Sequence, residues 1–258
     1  MVLKPIHSLW RIVWFLGLMC LGCSTNQNNE LAKFRIGQFL YTSKSATIEI
    51  FRDHVLVDSI TTGYGELTNY YKIPPRPYLI KVKADGQLIL EKNIGFGRSG
   101  IYTLALTGLP VKNQLVNKRS TIDKLTHMVE GAAALTTNDF LPQLIIQNDF
   151  AVNDPGNAKI RAAHIMPGTI PLDLKILKEN EPVLSYSGIK YPQTTETKSL
   201  RPHKYMLELK LTSSEVSNFS KLLNLEERTL YTLYFIPSPK DYNSNLMMIV
   251  GKTKIPFN

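Results

Sequence analysis

Thiols, imidazoles and carboxylates build most catalytic centres, and this chain holds few in suggestive spacing. It has two cysteines, Cys20 and Cys23, in "LMCLGCSTNQNN". Beyond the first thirty residues its histidines are His54, His127, His164 and His203. No two stand at the i, i+4 spacing that places two ligands on one metal, so no metal site is expected. "GFGRSG" at 95–100 fits Gly-x-Gly-x-x-Gly. A dinucleotide site needs a helix N-terminus after the glycines to face the pyrophosphate. Here "IYTLALT" follows, a strand pattern, so the glycines read as hairpin residues and no cofactor is expected. No serine stands in an elbow-like setting, and nothing suggests an oxyanion hole. Glu66 and Asp58 are the carboxylates that could serve as an acid–base pair on a glycoside, which requires a separation of about 5–9.5 Å. No catalytic residue is assigned.

Two other sets are candidates. Tyr64, Tyr70 and Tyr71 lie in "GYGELTNYY" at a strand start beside a loop. Exposed aromatic rings stack on sugar faces and anchor protein interfaces, so the three are candidate ligand-binding residues; the plainer reading turns Tyr70 or Tyr71 into the core with its hydroxyl bonded. His164 and Asp173 could face each other across a hairpin, a candidate structural pair pinning two strands.

The N-terminus reads as an export signal. "MVLKPIHSLWR" carries Lys4 and Arg11 and no acid, and "IVWFLGLMCL" (12–21) is ten apolar residues. About 20 are needed to span a bilayer, so this run is short, as in a secretory signal peptide. The end of the run resembles the lipobox of bacterial lipoproteins: Leu21 and Gly22 precede Cys23, with Cys20 where leucine is usual. The resemblance implies cleavage before Cys23 and acylation of its sulfur and amine. A mature chain would then hold no free thiol, excluding disulfides, cysteine zinc sites and thiol nucleophiles. Removing Lys4 and Arg11 from the 30 basic residues leaves 28 against 21 acidic ones, a net +7 that favours anionic surfaces. The basic residues are dispersed, and nucleic acid is not an expected partner.

The candidate residues are positioned by a repeated set of strands. "AKFRIGQFLYTSKSATIEIF" from Ala32 is echoed 126 residues later by "AKIRAAHIMPGTIPLDLKI" from Ala158. "PYLIKVKA" matches "KYMLELKL", with Tyr78 on Tyr205, Ile80 on Leu207 and Val82 on Leu209; "IYTLALTG" matches "LYTLYFIP". Apolar residues alternate with polar ones, the period of a half-buried strand. Strands are predicted at 33–40, 46–51, 54–60, 67–73, 77–84, 87–94, 101–108 and 143–148, then again over 159–252. Short strands at about ten-residue spacing predict two tandem immunoglobulin-like β-sandwich domains, at 32–150 and 158–258, behind a signal peptide (1–22) and a tether (23–31). Between 120 and 140, Ile122, Leu125, Met128, Val129 and Ala132 recur at helical spacing behind a Ser120–Asp123 capping box, which predicts one short helical insertion in the first domain. Residues 213–229 also fit helical spacing, but Phe219, Lys221 and Leu223 align with Leu90, Lys92 and Ile94, which favours a strand.

"RAAHIMPGTIPLDL" resembles the signature of the domain of unknown function 4397 family, with Arg161, His164, Pro167, Pro171 and Asp173 at the matching positions. The first copy carries Gln38 where the family has His and Glu49 where it has Asp. "YGELTNY" also matches in the first copy, while the second has "KYPQTTE" there. The resemblance implies tandem exported domains and no established activity. Together these features predict a lipid-anchored, non-catalytic protein of the outer membrane, binding a glycan or an envelope protein. The alternatives are a carbohydrate-active enzyme using the Glu66–Asp58 pair and a structural subunit of an envelope complex.

Overall fold

Strands of two kinds are separable by burial, and the difference sets the architecture. Ser45–Arg52 and Pro77–Ala84 bury every second residue, as do Leu172–Lys178 and Lys204–Leu211 over most of their length. Ala32–Leu40, Ile101–Gly108, Ala158–His164 and Thr229–Ser238 are buried almost continuously. Alternation marks a sheet with one face in water, and continuous burial a sheet covered on both faces.

The computed structural model describes residues 30–41, 43–108, 141–152, 154–211, 219–239 and 241–256. The expected helix at 120–140 and the N-terminal segment with Cys23 lie outside them. Among the described residues the chain is all-β, with seventeen strands and no helix. Its first half holds β1 (Ala32–Leu40), β2 (Ser45–Arg52), β3 (Val55–Gly63), β4 (Glu66–Leu67), β5 (Tyr71–Ile73), β6 (Pro77–Ala84), β7 (Gln87–Gly95), β8 (Ile101–Gly108) and β9 (Gln143–Asn148). Its second holds β10 (Ala158–His164), β11 (Leu172–Lys178), β12 (Glu181–Ile189), β13 (Lys198–Leu200), β14 (Lys204–Leu211), β15 (Phe219–Asn224), β16 (Thr229–Ser238) and β17 (Asp241–Lys254).

They form four sheets. One runs β4-β1-β8-β9 with β5 also on β1, and it is repeated as β13-β10-β16-β17; the others run β3-β2-β6-β7 and β12-β11-β14-β15. In both halves the central pair is parallel, β1 with β8 and β10 with β16, and the other pairings are antiparallel. The predicted single strand at 67–73 is instead two short strands. Thr68 breaks it: its Oγ1 accepts Ile36 N–H at 3.0 Å, and the chain then swings Tyr70 away from the ladder. The second half keeps β13 on β10 as the counterpart of β5, and only an isolated bridge, Ala163 with Thr194, as the counterpart of β4. Residues 95–100 do not close a hairpin. They cross from β7 in one sheet to β8 in another, with Gly100 packed on the Tyr102 ring. "KADGQ" does close one, with Asp85 and Gly86 both at positive φ (49° and 82°), the turn that matches strand twist.

Three apolar clusters fill the layers. One joins the β1 and β2 sheets around Phe34, Ile48, Ile80 and Leu106. Another joins the β10 and β11 sheets around Ile160, Leu174, Leu207 and Leu233. The third lies between the β1 and β10 sheets and holds Phe39, Ala105, Ala163, Ile165, Tyr234 and Ile236. That third cluster is why the inner strands lack alternation: each inner sheet has an outer sheet on one face and the other inner sheet on the other.

Ile80 is fully buried in the first cluster, whereas Val57 on β3 is 52% exposed. Ile80→Ala should lower unfolding free energy by about 2–5 kcal/mol, and Val57→Ser by less than about 0.5 kcal/mol, in urea titrations of the full chain.

Candidate functional site

The seam between the inner sheets is polar at one end. Arg35 on β1 and Arg161 on β10 occupy matching positions of the repeat, each paired with a threonine of the parallel neighbour, Thr103 and Thr232. Each guanidinium Nε donates to that threonine, at 2.8 and 2.9 Å. Each then reaches across the seam. Arg35 Nη1 donates to Lys252 O at 2.9 Å, and Arg161 Nη1 to Asn148 O at 2.7 Å. Arg35 Nη2 donates to Thr253 Oγ1 at 3.4 Å, while Arg161 Nη2 ion-pairs with Asp149 Oδ1. The two halves thus meet through a self-complementary interface with approximate two-fold symmetry. It departs from symmetry at Asp149, where the second half has Thr253.

Asp149 has no solvent exposure in its side chain. Its Oδ2 accepts from Thr103 and from the Tyr70 hydroxyl (2.7 Å), and lies 3.6 Å from Arg35 Nη2. Tyr70 also shares a 2.7 Å hydrogen bond with Thr253, and Arg35 Cζ sits 4.7 Å from the centre of its ring. Burial drives the Tyr70 phenol well above its ordinary range, so it stays a neutral donor. A buried carboxylate between two guanidiniums persists only because its oxygens and the guanidinium N–H groups are used this fully. Gly251 makes room: a Cβ there would lie 2.8 Å from Arg35 Nη2 and 3.1 Å from the Tyr234 ring.

At the other end of the seam a cleft of about 580 Å³ opens, lined by Tyr41, Ser43, Lys44, Gly63, Tyr64, Glu66 and Pro239. Gln38 positions one wall. Its side-chain oxygen accepts Leu40 N–H at 2.6 Å and its amide donates to Ser43 O at 3.3 Å, holding the segment that carries Tyr41, Ser43 and Lys44. The Tyr41 and Tyr64 rings meet edge to face, 6.1 Å apart, and the Tyr64 hydroxyl donates to Pro237 O of the second half at 2.8 Å. Glu66 Oε2 accepts Gly63 N–H at 2.8 Å, and a side chain at 63 would press within 3.0 Å of that carboxyl group. The cleft is lined by two aromatic residues, an ammonium and a carboxylate, a set that binds polar ligands with apolar faces.

The three tyrosines go to three places. Tyr64 lines the cleft. Tyr70 closes the ion cluster. Tyr71 stacks on Phe34 at 5.5 Å against the first core. Glu66 and Asp58 are not brought together. Glu66 docks at Gly63, and Asp58 lies five residues back along β3, roughly 17 Å at strand rise, beyond the span of a glycosidase pair. His164 is fully buried: its Nδ1 accepts Met166 N–H at 3.2 Å, and its Nε2 lies 3.2 Å from Ile170 O and from Thr169 Oγ1. Asp173 Oδ1 accepts Gly188 N–H at 2.7 Å. Gln38, the first-half counterpart of His164, does the same work by gripping the loop after its own strand. Asp149 was not foreseen, because it stands beside what reads as a linker. The repeated arginines, Arg35 and Arg161, were the signal that a shared counter-charge was needed.

No protein-family model matches the chain, and no curated protein matches it. Among solved structures, the tip fimbrial protein Mfa3 from Porphyromonas gingivalis aligns over 87% of this chain and 99% of its own, at 8% identity and TM-score 0.25. The Bacillus anthracis TIE protein aligns over 79% of this chain at 11% identity and TM-score 0.24. A leucine-rich repeat protein from Bacteroides thetaiotaomicron aligns over 79% at 9% identity and TM-score 0.21. The chain spans 33% and 25% of the lengths of the latter two.

Asp149→Ala should cost about 3–5 kcal/mol in urea unfolding, since it strands two buried guanidiniums. A second outcome concerns pH. Burial pushes the His164 pKa down to about 4 from an unfolded value near 6.5. The unfolded state therefore binds the extra proton between these values. The associated stability is complete above about pH 6.5, falls by up to about 3 kcal/mol as pH drops, and is gone below about pH 4. His164→Gln should flatten that part of the stability–pH curve.

Proposed function

We propose that the chain is a lipid-anchored, non-catalytic binding module of the bacterial outer membrane, made of two immunoglobulin-like β-sandwiches that act as one rigid body. The observation that carries this reading is the Tyr41–Tyr64 cleft. Its walls come from both halves, so the seam that locks the halves also fixes the cleft's shape. Aromatic rings such as Tyr41 and Tyr64 suit the C–H face of a sugar, and Lys44 and Glu66 suit its hydroxyl groups. A glycan of the envelope or its surroundings is therefore the proposed ligand class.

Comparison within the molecule supports the same reading. Tyr191 is the second-half counterpart of Tyr64, and it is only 6% exposed, with Gln143 Nε2 donating to its hydroxyl at 3.1 Å. One tyrosine of the repeated pair is committed to packing and the other borders open space. Arg161 and His164 of the quoted signature hold the seam and a loop. Such structural roles suit a resemblance to the domain of unknown function 4397 family, to which no activity is attached. Anchoring through Cys23 is supported by the lipobox resemblance and would tether the module to a membrane.

Glycan-array binding by the purified protein should fall at least tenfold in Tyr41→Ala and Tyr64→Ala and stay unchanged in Lys221→Ala. Equal binding by all four proteins would refute the cleft as the site. Cys23→Ser should abolish incorporation of labelled palmitate in a bacterial host, whereas retained label would refute the anchor.

A further inference from the structure

The chain enters the folded unit at Leu31, at the end of the β1 sheet where β1 and β8 begin and β9 stops. Three backbone bonds define that end: Lys33 N–H to Gly100 O (2.8 Å), Asp149 N–H to Ile101 O (2.7 Å) and Phe96 N–H to Arg76 O (3.1 Å). They bring together Leu31, the turn before Pro77, the 97–100 loop and Phe150. Leu31 and Phe150 are 40% and 53% exposed there, and Val152, two residues further along the chain, is 70% exposed. Lys33, Lys72, Arg76 and Arg98 stand around them, all exposed. Lys33 and Lys72 are direct partners in the β1–β5 ladder, a like-charge pairing that opposes the strand contact. Among the described residues, none of the four makes an ion pair with a carboxylate. The matching end of the second half is different, because Glu226 pairs there with Lys252 and Lys254, and Asp154 with Lys159.

Apolar tips among four cations, against the one carboxylate of Glu30 at the chain entry, match a surface of anionic phospholipid, with hydrocarbon below and phosphates at the rim. The chain length agrees. Residues 24–30 separate Cys23 from Leu31, and eight extended steps reach at most about 29 Å. Resting on the lipid-anchor reading, we infer that this end of the first half is a docking face for the anionic bilayer, with Leu31, Phe150 and Val152 among the headgroups and Lys33, Lys72, Arg76 and Arg98 on their phosphates. The module would then sit on the membrane in a fixed orientation rather than swing on its tether.

The test uses the full chain reconstituted in vesicles of phosphatidylcholine, with or without phosphatidylglycerol. An environment-sensitive fluorophore is placed through Val152→Cys, or through Gln87→Cys at the start of β7, roughly 27 Å (the length of β6) from the Pro77 end. A quencher borne on lipid headgroups should quench the label at position 152 in anionic vesicles and not in neutral ones, and should leave position 87 unaffected in both. Lys72→Gln with Arg98→Gln should shift the docked-to-undocked ratio about 30-fold, at about fivefold per basic residue. Quenching at 152 that ignores lipid charge, or survives the double substitution, overturns the inference. So does an absence of quenching at 152 in anionic vesicles when Cys23 is acylated. A free Cys23 would take up the fluorophore and be seen by mass, so failure of the anchor is told apart from failure of the docking face.

Discussion

Asp149 sits between Arg35 and Arg161 with its carboxylate sealed from solvent, and much of the molecule is arranged to keep it there. A buried charge of this kind is costly unless its lone pairs and its partners' N–H groups are used. Thr103, Thr232, Thr253, Tyr70 and the carbonyls of Asn148 and Lys252 supply those bonds. Each comes from a strand end or a loop that must be placed to within hydrogen-bonding distance. The cluster therefore fixes how the inner sheets register on each other, and the apolar contacts around Phe39 and Tyr234 follow in that register.

The repeat explains why such a cluster could form at all. A self-complementary interface brings positions close to its two-fold axis near their own counterparts, and Arg35 and Arg161 are such positions, so two equal arginines converge. Two guanidiniums cannot share a dry seam unless a carboxylate breaks the symmetry, and Asp149 opposite Thr253 does so. The same divergence by position recurs in Gln38 against His164 and in Tyr64 against Tyr191. In the first pair two chemistries perform one task, gripping the following loop. In the second, one chemistry performs two tasks, packing in one half and bordering a cleft in the other.

Much of the architecture was legible in the residues. "PYLIKVKA" alternates because β6 belongs to an outer sheet, and its predicted limits coincide with the strand. The duplicated order of strands appears as a duplicated order of pairing. Short elements were less legible: the stretch at 67–73 has strand composition throughout, and only the tertiary bonds of Thr68 and Tyr70 divide it. The site was read in part. Tyr64 was identified as a candidate and lines the cleft, but Tyr41, Ser43 and Pro239 join it from distant positions with no local pattern to mark them.

The sequence by itself determined the strands, their repetition and which faces are apolar, because these depend on neighbours two residues away and on copies at constant spacing. Tertiary structure alone decided that the two halves share a seam, that Tyr70 serves an ion cluster instead of a ligand, and that Asp58 and Glu66 stay apart. Those outcomes depend on which faces meet across the repeat, and a charge such as Asp149 acquires its role only from groups that folding brings within about 3 Å of it.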